Sequence, residues 1–136
     1  MKFEYTTAPE IQEQVNTIIS TLNLRHIRPD RIACFRSRGT STNRVIARCH
    51  ALPKIMQIGL KTDAFYAIEL ISEKYDQLKE EEKVKVLIHE LMHIPKAFGG
   101  GFRHHDYVCQ SEVDKMYLQY KRIKNPSARF PFFSIK

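Results

Sequence analysis

Apolar residues recur along this chain with two different periods, and the change of period divides it into a leading helix, a strand-rich middle and a helical second half. Ile11, Val15, Ile18, Ile19 and Leu22 stand at helical intervals and form one apolar stripe. Thr7 and Glu10 have capping-box spacing ahead of it with Pro9 in the first turn, which predicts the helix start. Leu24 to Asp30, with Pro29, reads as a loop. Arg31 to Arg36 and Val45 to His50 read as strands, and the turn composition of Ser37 to Asn43 between them predicts a hairpin. Ile55 to Leu60 and Phe65 to Ile71 read as two further strands, separated by Lys61-Thr62-Asp63.

From Ser72 the period lengthens. Ser72 to Leu78 starts a short helix, and Glu80-Glu81-Glu82 places carboxylates where they suit the dipole of a following one. Val84, Leu87, Ile88 and Leu91 mark its apolar face, Pro95 stops it, and Gly99-Gly100-Gly101 makes a permissive turn. Gln110 to Lys124 reads as the last helix, with Val113, Met116, Tyr117 and Tyr120 at helical spacing, before a tail ending ARFPFFSIK. Without an internal repeat, low-complexity tract or linker, the pattern predicts one α+β domain over residues 1–136, its core spanning about 7–124 and residues 125–136 forming a tail.

The chemistry concentrates in His89-Glu90-Leu91-Met92-His93. Residues four apart share a helix face with Cβ atoms ~5–6 Å apart, so both imidazoles can converge on one Zn²⁺. Glu90 is turned about 100° from His89 on the helical wheel, beside the metal face, where it can act as base toward a zinc-activated water. Such a motif arises by chance in roughly 2% of shuffled sequences of this composition. Its place at the end of a strongly periodic helix, with apolar flanks, favours the metal over two surface histidines. A catalytic zinc takes three protein ligands and keeps one position open. His104 and His105 follow the glycine turn and are the candidates for the third, and Glu112 is an alternative from the last helix. If Phe102 anchors the returning chain in the core, alternation points His105 away from it and toward the metal.

Composition adds less. The hydrophobic fraction of 43% suffices for a core, and the net charge of +7 suits acidic partners, nucleic acid among them, without naming one. Three widely spaced cysteines (Cys34, Cys49, Cys109) contain no C-x-x-C pair, which argues against a disulfide framework or a cysteine zinc knuckle. No apolar run approaches the ~20 residues of a membrane helix. The expectation is a cytoplasmic protein with no membrane contact and an oligomeric state the sequence leaves open.

The run HELMHIPKAFGGGFRHHDY resembles the core of the archaeal and phage metallopeptidase family, related to the SprT-like minimal zincins. The likeness extends upstream through RSRGTSTNRVIARCHALPKI and FYAIELISEKYDQL, and covers roughly residues 28–120. The resemblance implies zinc on His89 and His93 with Glu90 as general base. The family's later Arg-Pro-His element lines up with Arg103-His104-His105, which makes His105 the third ligand. Two departures stand out: His104 occupies the place of Pro, and Asp106 follows where Gly is frequent. The resemblance also implies a minimal zincin-like fold, a short, mostly antiparallel sheet packed on helices with the motif helix beneath it.

Phe65 to Ile71 has the right distance from the motif to be an edge strand that pairs with an extended peptide, or else a plain core strand. Arg36, Arg38, Arg44 and Arg48 cluster about the predicted turn as a solvated rim, with phosphate contact as the rival. Tyr107 is placed to stabilise an oxyanion, and Tyr117 and Tyr120 read as core; His26 and His50 stand alone, and Asp106 is a weak candidate to orient His104. The chain therefore reads as a zinc metallohydrolase with one Zn²⁺ that cleaves a peptide or protein substrate. The rivals are a zinc-stabilised binding module, nucleic-acid associated, and a hydrolase of non-peptide amides or esters.

Overall fold

The structure, a computed structural model, describes residues 2–39, 44–103 and 109–126. Its axis is β4 (Tyr66–Ile71), whose Tyr66, Ile68, Glu69, Leu70 and Ile71 are all buried. A strand buried on both faces reads as a near-continuous apolar run. β2 (Ile32–Arg38) pairs parallel to it and β3 (Ala47–Ala51) antiparallel on the other side, while β1 (Glu4–Thr7) lies antiparallel to β2. The sheet order is β1-β2-β4-β3, so β3 is an outer strand.

Pleating assigns the faces. Cys34 stands opposite Ile68, and Cys49 opposite the same residue, so these side chains share one face. That face meets α1 (Pro9–Thr21), α4 (Glu80–Met92) and α5 (Gln110–Lys124) in one core containing Val15, Ile18, Leu87, Ile88, Leu91 and Val113. Two short helices complete the α+β architecture: α2 (Lys54–Leu60) and α3 (Ser72–Tyr75). No described helix is long and apolar enough to cross a membrane.

Several expectations change. Thr7 ends β1 opposite Phe35, and α1 begins at Pro9 behind Ala8 with no side-chain cap, so the capping box does not form. The first two predicted strands exist, but they do not make a hairpin: β4 lies between them and pairs with both. The sheet is consequently mixed, with β2–β4 its parallel ladder. The segment read as a strand at Ile55 to Leu60 is the helix α2. Phe65 to Ile71 supplies the interior strand, and the outer position beside the motif helix belongs to β3.

Candidate metal centre

α4 buries Val84, Leu87, Ile88, Leu91 and Met92 and turns His89 and His93 to a cleft of about 730 Å³. β3 and the residues leading into it form one wall of this cleft, and Phe102, Arg103 and the start of α5 form another. The two imidazole Nε2 atoms stand 3.2 Å apart. Two nitrogens ~2.0–2.1 Å from one tetrahedral zinc lie about 3.3–3.4 Å apart, so the pair fits the ion without rearrangement. His93 Nδ1–H donates to the Arg103 carbonyl at 2.8 Å. That bond fixes the tautomer and leaves the Nε2 lone pair for a metal. Donor chemistry and spacing thus both suit zinc.

Glu90 follows His89 into the same cleft but is 7% exposed. Burial pushes its carboxyl up to about 7, where it can both take and return a proton near neutrality. Cys49 of β3 faces it. Burial, then the Glu90 charge, raises that thiol to about 12, and burial raises Cys34 likewise, so with no metal bound both are held as neutral thiols.

The chain leaves α4 at His93 and is brought back by contacts that the pattern did not disclose. Arg103 N–H donates to the His93 carbonyl at 2.7 Å, closing a two-way bridge with the Nδ1 bond. The Tyr66 hydroxyl accepts from Gly100 N–H at 2.9 Å and donates to the Gly101 carbonyl at 2.8 Å. Gln57 Nε2 donates to Leu52 O and Gly99 O at 2.9 and 3.0 Å. Gly100 has φ +104°, and a Cβ there would meet the backbone Leu52 O at 2.8 Å, so the turn requires glycine on both counts. Glycine composition announced the turn; nothing local marked Tyr66 or Gln57 as its braces.

The structure therefore brings His89, Glu90 and His93 together. His104, His105, Asp106 and Tyr107 lie outside the described residues. Phe102 is 46% exposed with its ring edge-on to Tyr66 at 6.1 Å, so it lines the cleft and Phe98 is the residue that enters the core. The alternation argument for His105 loses its premise, and that assignment rests on the motif register. Among the described residues no group of three His, Cys, Asp or Glu is placed to hold a metal, so Glu112, ion-paired with Lys115 at 3.5 Å, does not complete the site.

The remaining candidates have structural partners. His26 Nε2–H donates to Ile94 O at 3.3 Å, and His50 Nε2 meets Glu69 Oε1 at 2.8 Å. Arg36 is paired with Glu10 and Asp76, and Arg48 with Glu69 at 3.4 Å, so two of the four arginines are bound into the fold rather than forming a rim. Arg44 lines the cleft, and Tyr117 packs under Lys85 at the α4–α5 contact.

Against known proteins, residues 3–123 match the family described as "putative phage metallopeptidase". No curated protein and no solved structure matches the chain. The chain belongs to that family.

Proposed function

As a member of that family the chain is, we propose, a zinc-dependent peptidase that hydrolyses a peptide bond with Glu90 as general base. Membership itself points to a metallopeptidase. The observation that carries the finer reading is the convergence of His89 and His93 Nε2 at 3.2 Å beside a buried carboxyl held near neutrality. His89 and His93, with His105 as the third ligand that the resemblance supplies, would hold the ion. Zinc bound there supplies Lewis acidity, polarising a carbonyl and making water a stronger acid.

The chain's own groups do the rest. Glu90, buried beside the two imidazoles in the same cleft, takes the proton of the attacking water and returns it to the leaving amine. The Arg103 carbonyl keeps the His93 ring in one orientation and tautomer. β3 borders the cleft as an outer strand, and its edge away from β4, which no strand among the described residues pairs with, offers backbone donors and acceptors to an extended peptide. A minimal zincin-like arrangement is the architecture this reading assigns to the sheet and α4.

The test pairs metal content with a conservative variant. Purified protein is expected to carry one zinc per chain by elemental analysis. Glu90→Gln is expected to keep the zinc and lose ~10²-fold or more in turnover of a cleaved peptide. Full activity in that variant, or full zinc occupancy in a His89→Ala/His93→Ala double variant, overturns the assignment.

A further inference from the structure

Residues 98–103 contain three glycines in a row and ought to be the loosest stretch beside the cleft, since glycine gives up the most backbone freedom on folding. Instead a buried side chain grips each glycine. Gly99 O accepts from Gln57 Nε2 at 3.0 Å, Gly100 N–H donates to the Tyr66 hydroxyl at 2.9 Å, and that hydroxyl donates to Gly101 O at 2.8 Å. Both ends are anchored as well. Phe98, at φ +47°, is buried with its ring 5.1 Å from that of Tyr66, and Arg103 is tied to His93 through its N–H and its carbonyl. The segment is a braced strap.

The brace turns on Tyr66. It opens β4, a strand whose other buried positions Ile68, Leu70 and Ile71 are aliphatic. A fully buried tyrosine carries a hydroxyl that costs stability unless it finds partners, and phenylalanine would fill the site without that demand. Both hydrogen bonds of this hydroxyl go to the strap. From Gly101 the chain has two residues, at most ~7 Å, in which to reach Arg103, whose carbonyl accepts from His93 Nδ1–H at 2.8 Å. Contacts therefore run without a gap from the first residue of β4 to the imidazole at the C-terminal end of α4.

We propose that Tyr66 is a positioning residue for His93: its hydroxyl fixes the strap, the strap sets the Arg103 carbonyl, and that carbonyl holds the imidazole with Nε2 toward the metal position. What His93 binds rests on the zinc reading above, and how its ring is held rests on the strap alone. A ring preset in this way loses little freedom when it takes up an ion, so the consequence is tighter zinc binding.

Two readings on the full chain test it. Competition with a chromophoric chelator gives the zinc affinity. In the metal-free protein, proton exchange at His93 Nδ1–H, assigned by its loss in His93→Ala, reports the ring itself. Tyr66→Phe is expected to lower zinc affinity about tenfold, the low end for a supporting contact to a metal-bound histidine, and to speed the exchange. Gly100→Ala strikes the same strap from another side, because a Cβ there would meet Leu52 O at 2.8 Å at a backbone φ of +104°, and it should do the same. A Cβ at Gly101 meets open space, so Gly101→Ala should change neither reading. Ile18→Val, a buried trim on α1, should lower the melting temperature and also change neither.

A Tyr66→Phe protein that melts earlier while zinc affinity and His93 exchange stay unaltered makes the hydroxyl a plain stability contact and overturns the proposal. So does an equal loss in Gly101→Ala or Ile18→Val, which traces the effect to general loosening. Should Tyr66→Phe fail to fold, Gly100→Ala set against Gly101→Ala decides by the same two readings. If the unaltered chain takes up no zinc while Tyr66→Phe still frees the His93 proton, the zinc reading fails and the positioning stands.

Discussion

His93 is held by its second nitrogen, and that fact constrains the residues that follow. With Arg103 bonded to His93 through both its N–H and its carbonyl, at 2.7 and 2.8 Å, the chain has already returned to the metal side when it reaches position 103. One further residue spans up to ~3.3–3.6 Å, so chain length alone does not choose between His104 and His105, which lie outside the described residues. The proposed third ligand, from the resemblance of the motif, is His105. His105→Ala should cost most of the zinc affinity, whereas His104→Ala should lose no more than the ~10- to 100-fold typical of a supporting contact. Competitive titration with a chromophoric chelator reads both. Loss of metal in His104→Ala with retention in His105→Ala would shift the ligand by one position. The pairing of His89 with His93 was legible because helical periodicity alone puts i and i+4 on one face. The Arg103 carbonyl was not legible, since a backbone partner ten positions away leaves no mark on residue type.

At the scale of elements, the long helices were readable and the sheet order was not. Stripes such as Val84, Leu87, Ile88 and Leu91 report a local period, and α1, α4 and α5 appear where that period predicts. Strand partnership is decided by distant residues, so the apparent hairpin of β2 and β3 dissolved when β4 proved to lie between them. α2 was misread for a different reason: its apolar residues face out, and Gln57 holds the inner position. A buried charge cluster now explains how the three strands are tied. Glu69 of β4, 1% exposed, accepts from Ser37 Oγ of β2 at 2.6 Å and meets His50 and Arg48 of β3. Burial pushes its carboxyl up, but the Ser37 and His50 hydrogen bonds and the Arg48 charge outweigh it and hold it below its ordinary 4.5. A carboxyl so lowered stabilises the fold above its unfolded value, and the contribution is lost as pH falls through the native one. Glu69→Gln should therefore cost about 1–3 kcal/mol at neutral pH and flatten the fall of melting temperature below about pH 4.5. Melting curves across that range check it, and parallel acid limbs in the two proteins would place the acid sensitivity elsewhere.

For the whole molecule, the question is whether the metal holds the fold or only serves the cleft. The core is assembled from α1, α4, α5 and one face of the sheet, with Val15, Ile18, Ile68, Leu70, Leu87 and Ile88 all within it, and none of these contacts passes through His89 or His93. A structural zinc site, by contrast, closes four ligands and supplies the folding energy itself. The cleft histidines are half-buried at its edge, so removal of zinc should leave the folded state in place and withdraw only the linkage term. With zinc at a hundredfold its Kd that term is about 2.7 kcal/mol, or a fall in melting temperature on the order of 10 °C for a chain of this length. Chelated protein is thus expected to keep its far-ultraviolet circular dichroism at 25 °C, melt earlier in one cooperative step, and recover on adding zinc. A chelated chain with the spectrum of a random coil would make the metal structural and favour a zinc-stabilised binding module over a peptidase. The proposed role of Glu90 leads to the folded outcome, because a buried carboxyl beside two converged imidazoles serves proton transfer in that reading, whereas a structural site needs no base.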